Sequence, residues 1–173
     1  MFAAQERFAT MSCMAQALDY RGVDCVVSGG QTGVDRAGLD TAILLGIRHG
    51  GWCPRGRLAE DGAVPPIYEL DETRSAEYPV RTEQNVIDSD GTLILYRVNL
   101  FGGSELTHRL TRKHTRPCLL VDLEDSPDLS RSQHWLRKNA IHVLNVAGPR
   151  ESSAAGIGNQ AAEYLRSVLS NWP

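Results

Sequence analysis

Residues 23–45 read VDCVVSGGQTGVDRAGLDTAILL, an apolar run followed by a glycine-rich turn and a second apolar pattern. The run at 23–27 is rich in β-branched residues, which favour strands. Over residues 34–45, apolar and small residues recur at spacings of three and four, which is typical of one face of a helix. The small residues on that face predict that the helix lies close against a sheet.

The rest of the chain repeats this alternation of short apolar runs and helical patterns. Further strands are predicted at residues 47–52, 92–96, 118–123 and 142–146. Further helices are predicted at 82–87 with Thr82 as N-cap, around Leu106 and Leu110, at 129–140, and at 157–172. Strands that alternate with helices indicate a parallel sheet covered on both faces, so the sequence predicts a doubly wound α/β domain.

The domain boundaries follow from the same pattern. Residues 22–173 are expected to form a single ligand-binding domain, preceded by an N-terminal extension or helix at residues 1–21. Residues 53–81 are polar, contain four prolines and are expected to form mainly a long loop, a kind of segment that is often functional.

The composition excludes several classes of protein. The chain has 173 residues and a mass of 19.0 kDa, with 18 basic against 21 acidic side chains and a net charge of −3. Proteins that bind duplex nucleic acid usually carry a basic excess, so no nucleic-acid partner is expected. No apolar stretch approaches the roughly 20 residues that span a bilayer, and no secretory signal is visible, so no membrane partner is expected. The four cysteines lack a C-x-x-C pair, which argues against a zinc site or a disulfide framework and favours the cytoplasm.

The turn after the first strand is the first candidate binding segment. In doubly wound sheets, ligands bind beyond the carboxyl ends of the strands, and glycines before a helix let backbone N–H groups approach an anion. The dinucleotide fingerprint is incomplete, because Ser28 replaces its first glycine and the acid expected about 20 residues later is missing. A Walker A loop is also absent. The turn therefore favours a phosphate cradle, and a turn needed only for packing is the alternative.

Other polar segments also follow predicted strands. Arg55 and Arg57 either clamp an anion or pair with Glu60 and Asp61. Arg81 and Asn85 either face the site or serve as ordinary surface and capping residues. A second glycine-rich loop, residues 102–107, and an elbow at residues 145–152 complete the set. The candidate binding residues for a small anionic ligand are Gly29, Gly30, Gln31, Thr32, Gly33, Asp35, Arg36, Arg55, Asn85, Gly102, Gly103, Ser104, Thr107 and Arg150.

Catalytic machinery is not evident in the sequence. No histidine is spaced with a partner as a metal pair, and neither a G-x-S-x-G elbow nor an H-E-x-x-H motif appears. Cys53 lies near a strand end, where it would either touch a soft metal centre or be an inert thiol. The sequence therefore predicts a binding protein without catalytic or metal-ligating residues.

Five segments together resemble the molybdenum cofactor carrier protein family. They are SGGQTGVDRAGLD, GGWCPRGRLAEDG, RTEQNVIDSDGTLI, GGSELT and LNVAGPRES, and the resemblance covers roughly residues 22–169. That family belongs to a wider Rossmann-like group that includes the LOG, or lysine decarboxylase-like, proteins. The resemblance implies a doubly wound, Rossmann-like three-layer sandwich with a mostly parallel central sheet of five or more strands. It also implies a homo-oligomer, either a tetramer or a dimer.

The ligand that this resemblance implies is the molybdenum cofactor, a pterin with a terminal phosphate and a dithiolene-held molybdenum oxo group. The chain would then carry and protect the cofactor, or a similar phosphorylated pterin or nucleotide, with molybdoenzymes as recipients. Gly29, Gly30, Gln31, Thr32 and Gly33 match the first family loop, with Asp35 and Arg36 after it, and Gly102, Gly103, Ser104 and Thr107 match the second.

The LOG enzymes differ from this chain in the second loop. Their loop reads P-G-G-x-G-T-x-x-E, and its last Glu serves the hydrolysis of nucleoside monophosphates. Aligned without gaps, this chain has Phe101 for the Pro, Glu105 for the third Gly and Arg109 in place of that Glu. A cation does not replace a general acid, although Glu105 could stand in. A nucleoside-monophosphate phosphoribohydrolase is therefore the alternative function, and a nucleotide-ligand sensor module is a third.

Overall fold

A computed structural model describes residues 21–170 of the chain. Its strands are β1 (Cys25–Val27), β2 (Arg48–Gly50), β3 (Trp52–Cys53), β4 (Leu58–Ala59), β5 (Gly62–Ala63), β6 (Asp71–Glu72), β7 (Gly91–Tyr96), β8 (Cys118–Asp122) and β9 (Val143–Ala147). Its helices are α1 (Val34–Leu45), α2 (Tyr78–Ile87), α3 (Gly102–Lys113), α4 (Leu129–Lys138) and α5 (Ile157–Ser170), with a 3-10 turn at Glu151–Ser153.

The centre of the fold is a five-stranded sheet in the order β2-β1-β9-β7-β8, and each neighbouring pair is parallel. Helix α1 packs on α5 and α5 on α4, whereas α2 packs on α3. The main core cluster takes Leu93 and Leu95 of β7 but not Ile94, since successive strand residues face opposite sides of a sheet. The predicted three-layer, doubly wound α/β architecture is confirmed.

Helix α1 lies close to the sheet, as its small residues predict. A side chain added at Gly38 would meet Val146 of β9 at 2.9 Å, a distance that leaves no room for a methyl group. The helix spans the predicted residues and ends at Gly46, which adopts the left-handed conformation common after helices.

The segment 53–81 is more ordered than the sequence predicts. Most of its residues lie in turns and loops, as predicted, but strand β3 pairs with β6, and β4 pairs with β5 in a hairpin, which the sequence did not predict. The predicted helix start at Thr82 is wrong, because α2 begins at Tyr78 after an N-cap at Glu77. Pro79 occupies the first turn of α2, where the missing N–H of proline has no cost.

The strand order reverses direction at one place. The chain moves outward from β1 to β2 on one side of the sheet and from β7 to β8 on the other, and β9 returns between β1 and β7. If the strands are counted from β9, the order reads 3-2-1-4-5, which is the common order of doubly wound nucleotide-binding folds. The crevice between β9 and β7 is therefore the point where a ligand site is expected.

Two further predictions concern the ends of the chain and membranes. Residues 1–20 lie outside the described residues, so the N-terminal extension at 1–21 and the single domain at 22–173 stay predictions. Within the described residues, no helix has the length and apolar character that crossing a membrane requires.

Candidate functional site

Two adjoining cavities lie at the carboxyl edge of the sheet, where the segments after β1, β7 and β9 meet. The outer cavity has a volume of about 310 Å³ and the inner pocket about 40 Å³. The outer cavity is lined by Gln31, Tyr78, Pro79, Arg81, Thr82, Phe101, Gly102, Gly103, Ser104, Leu106, Gly148, Pro149, Arg150 and Ser153. The inner pocket is lined by Gly29, Asp35, Arg81, Thr82, Asn85, Gly103, Thr107, Asn145, Val146, Ala147 and Gly148. Arg81, Thr82, Gly103 and Gly148 line both cavities, so the two cavities are neighbours in one candidate site.

Arg81 of α2 stands at the junction of the two cavities. Its Nη1 donates to Oδ2 of Asp35 at 2.9 Å, and both side chains are largely buried. The guanidinium lies over the ring of Tyr78, 5.9 Å from its centroid. The Nε atom is buried and has no hydrogen-bond partner. The guanidinium of Arg81 therefore has a donor that no group of the described protein uses.

Gly29 leaves the space that the guanidinium fills. A Cβ at position 29 would stand 1.4 Å from Nη1 of Arg81. A glycine is thus required at position 29 because Arg81 of α2 occupies the space that a side chain would need. Backbone conformation gives no such reason, since Gly29 is not among the glycines with a positive φ.

Asp35 is a buried carboxyl group at the start of α1, with an exposed fraction of 4%. Its Oδ2 also accepts a hydrogen bond from the backbone N–H of Gln31 at 3.3 Å. Burial raises the pKa of Asp35 above its ordinary value, and the charge and hydrogen bond of Arg81 act in the opposite direction. The inner pocket therefore holds a buried ion pair whose acid member binds a proton more readily than an exposed aspartate does.

Ser104 supplies a second unused donor. Its side chain lies in the first turn of α3 and is buried, and its Oγ has no hydrogen-bond partner. Most buried hydroxyl groups in proteins are hydrogen-bonded, so an unpaired one at a cavity wall indicates a place for a polar guest. Gly102 and Gly103 beside it have open space where a Cβ would stand.

The hairpin of β4 and β5 closes one side of the first turn. Its tip carries Glu60, whose carboxylate accepts hydrogen bonds from Oγ1 of Thr32 and from N and Oγ of Ser152. The adjacent Asp61 accepts two hydrogen bonds from Arg36, at 2.6 and 2.7 Å. Thr32 and Arg36 therefore bind the hairpin and do not line either cavity.

The structure brings together nine of the predicted binding residues at the two cavities, counted from the lining residues. They are Gly29, Gln31, Asp35, Asn85, Gly102, Gly103, Ser104, Thr107 and Arg150. The side-chain amide of Asn85 accepts a hydrogen bond from the backbone N–H of Trp52 at 2.8 Å and donates one to its C=O at 3.0 Å. Thr107 donates to the Gly103 carbonyl at 2.8 Å. The roles of these residues toward a ligand stay predictions.

The other five predicted residues lie elsewhere. Gly30 packs against Val64 and Leu70, and Gly33 lies against the backbone of residues 149–151. Arg55 is exposed and outside both linings. With Thr32 and Arg36 bound to the hairpin, the first turn serves mainly to join elements.

The candidate residues taken from the sequence did not include the arginine and the aromatic side chains that line the site. Arg81 was considered beside Asn85 but was not among the candidate binding residues, and the apolar walls Tyr78 and Phe101 were missed. Arg81 and Asn85 are four residues apart, so they share a face once the helix is known to start at Tyr78. Within residues 21–170, no group of His, Cys, Asp and Glu side chains is arranged to hold a metal ion. Cys53 is fully buried, and burial raises the pKa of its thiol.

A comparison of the chain with models of known protein families agrees with the strand order of the central sheet. The model of the family described as "Circularly permutated YpsA SLOG family" matches residues 26–169, nearly all of the described chain. The chain belongs to this SLOG family. The strand order fits such a permutation, since β9 comes last in the sequence but occupies the place of the first strand. None of the curated proteins compared with this SLOG chain matches it.

One solved structure is closely similar to this SLOG chain. It is the crystal structure of a protein from Syntrophus aciditrophicus SB named "Putative molybdenum carrier protein". The two are 43% identical, with a TM-score of 0.82, and the match covers 86% of this chain and 96% of the other. The resemblance found in the sequence motifs is thereby confirmed at the level of family and fold.

Proposed function

We propose that the chain binds and carries the molybdenum cofactor, or a similar phosphorylated pterin or nucleotide, in the two adjoining cavities. The observation that carries the proposal is that Ser104 and Arg81, each with a buried polar atom that has no hydrogen-bond partner, line a cavity in the sheet crevice. The name of the similar crystal structure supports a molybdenum-containing guest.

The chemistry of the walls suits such a guest. A phosphate or oxo group needs donors, which Arg81, Ser104 and the exposed Arg150 supply. A planar heterocycle needs apolar surface, which Tyr78 and Phe101 supply at the mouth. The cofactor holds its metal through its own dithiolene, so the protein is not required to provide metal ligands. The volume of about 310 Å³ is at the lower end of small-molecule sites.

The positions of the acidic side chains favour a carrier protein over a hydrolase. Glu105, which the sequence offers as the stand-in acid of a phosphoribohydrolase, is exposed and lies outside both linings. Asp35 is buried and bound to Arg81. A carrier needs only reversible binding, which donors without a free general acid provide. Molybdoenzymes as recipients, a homo-oligomer and a cytoplasmic location remain predictions.

Ser104→Ala is the sharpest test, because it removes a hydroxyl that makes no hydrogen bond within the protein. We expect unchanged stability and a loss of about tenfold or more in affinity for the cofactor, the amount that one hydrogen bond to a charged group is worth. Calorimetry with the cofactor and a pterin phosphate, together with thermal unfolding, measures both. The matched control is Ser170→Ala on the exposed end of α5.

One outcome would contradict the proposed site, and another would contradict the proposed carrier function. If Ser104→Ala binds as tightly as the parent chain, the donors are not used and the proposed site is wrong. If the parent chain takes up neither the cofactor nor a pterin or nucleoside phosphate, the carrier function is wrong. Mass spectrometry and elemental analysis of the supernatant from denatured native protein provide an independent check for a co-purified guest.

A further inference from the structure

We propose that Asp35 takes up a proton when an oxyanion binds beside Arg81, so that the inner pocket admits a doubly charged ligand together with a proton. This inference rests on the proposed function, since it concerns the anionic end of the same ligand. It makes Asp35 a positioning and specificity-determining residue: it aims the guanidinium and sets the total charge that the pocket accepts.

The geometry gives the two anions a single cation to share. Asp35 holds Nη1 of Arg81 at 2.9 Å, and the unpaired Nε belongs to the same guanidinium. An oxyanion in the inner pocket, which Arg81 and Asp35 both line, therefore competes with the Asp35 carboxylate for this one guanidinium. The pocket has a volume of only about 40 Å³, so water has little room to screen the two negative charges from each other.

Apart from Arg81, the groups around Asp35 are neutral. From α2 it faces Arg81, from the first turn the N–H of Gln31 and the hydroxyl of Ser28, both of which lower its pKa, and the remaining polar lining consists of neutral side chains such as Thr82, Asn85 and Asn145. Among the described residues that line the inner pocket, Arg81 and Asp35 are the charged ones. A dianion in this pocket leaves a net charge of −2 if Asp35 stays ionised, and −1 if it is protonated.

The environment of Asp35 also favours uptake of the proton at its carboxylate. Burial already raises its pKa in the free protein, while Arg81 lowers it. A bound oxyanion weakens the effect of Arg81 by competing for the same guanidinium, and its own charge raises the pKa of Asp35 further. The proton comes from the solvent, and no bond within the ligand forms or breaks.

Sulfate is the probe that isolates this effect, because it stays a dianion between pH 5 and 8 whereas phosphate monoesters titrate near pH 6. We expect the affinity of the parent chain for sulfate to rise about three- to tenfold between pH 7.5 and pH 6.0. One proton per site limits the slope to one decade per pH unit. Calorimetry in two buffers of different ionisation heat counts the protons taken up, and we expect a value between zero and one that grows toward neutral pH.

Asp35→Asn removes the titrating group while keeping its size. We expect this variant to bind sulfate more tightly than the parent at pH 7.5, with no pH slope and no proton uptake. Asp125→Asn, at an exposed position outside both linings, should keep the slope of the parent. If Asp35→Asn fails to fold, the proton count of the parent chain still decides.

Several results would overturn the inference. A sulfate affinity of the parent that does not change with pH, or binding without proton uptake, contradicts it. A slope that persists in Asp35→Asn assigns the titration to another group and contradicts the inference. If neither protein binds sulfate while the parent binds the cofactor, the inference is wrong and the proposed function stands. If the parent binds neither sulfate nor the cofactor, the proposed function is wrong as well.

Discussion

At the scale of single residues, the site is organised around the guanidinium of Arg81. It rests on Gly29, is held by Asp35 and covers the ring of Tyr78, so three elements fix one side chain. Such fixing matters for binding, because an ordered donor loses little freedom when a ligand arrives. The glycine, the acid and the arginine should therefore behave as one unit in mutagenesis.

A double-mutant cycle of Gly29→Ala and Arg81→Ala tests this unit. We expect Gly29→Ala to destabilise the parent chain by about 1–3 kcal/mol, because the added methyl group expels the guanidinium from a packed position. In the Arg81→Ala background the same change should cost little, which gives a coupling of about 1 kcal/mol or more in urea unfolding. Gly103→Ala, where a Cβ meets open space, serves as the uncoupled control. Additive effects of Gly29→Ala and Arg81→Ala would contradict the assignment.

At the scale of elements, periodic patterns were predictable and tertiary pairings were not. Helix α1 matches its predicted residues because its stripe is long and its end is marked by Gly46. The two-residue strands β3 to β6 are too short to show a period, and their pairing depends on contacts between distant residues. The start of α2 was missed because its first turn holds Pro79, which was interpreted as part of a loop.

The place of the candidate site in the fold was predictable from the sequence, but the arginine that enters it was not. Glycine-rich turns after strands indicated the edge of the sheet, and the loops after β1, β7 and β9 do meet there. Which arginine enters the site was not predictable, since Arg36 and Arg81 both stand at the start of a predicted helix in the sequence. In the structure Arg36 binds Asp61 of the hairpin, whereas Arg81 lines both cavities and its Nε has no hydrogen-bond partner.

The hairpin of β4 and β5 should loosen in acid. Hydrogen bonds from Arg36 hold the pKa of Asp61 below its ordinary value. An acid whose folded pKa is lowered stabilises the fold above its unfolded pKa, about 3.9, and this contribution is lost as the pH falls through the folded pKa. We expect Asp61→Asn to lower the urea midpoint at pH 6 and to match the parent near pH 2. The loss should stay below about 1 kcal/mol, because Asp61 is exposed.

Asp125→Asn is the control for this comparison, since Asp125 is exposed and takes part in none of the ion pairs within residues 21–170. Its urea midpoint should follow the parent at every pH. If Asp61→Asn gave the same midpoints as the parent at pH 6, the pair with Arg36 would contribute nothing to stability.

At the scale of the whole molecule, the order of elements along the chain is separable from their order in space. Strands β9 and β1 are parallel neighbours, and α5 follows β9, so α5 returns the chain to the edge of the sheet where β1 starts. Joining the end of α5 to β1 would complete a β-α-β unit of the usual right-handed kind. The site depends on loops after the strands, and this joining leaves those loops intact.

A permuted chain that begins at Ala140 and ends at Asn139, with Pro173 joined to Met1, therefore should fold and bind. The new break lies in the turn between α4 and β9, and residues 171–173 and 1–20 become the connection from α5 toward β1. The closure entropy of such a connection grows only slowly with its length, so we expect a modest loss of stability and cofactor affinity within a few-fold of the parent. A second permuted chain, opened between Asn99 and Leu100, breaks the loop that carries Phe101 and Gly102 into the outer cavity. It should keep the circular dichroism of the parent but lose at least tenfold in affinity. Loss of folding in the first chain would show that the spatial strand order does not by itself determine the fold. Equal binding by both chains would show that an intact loop before Phe101 is not needed for the site.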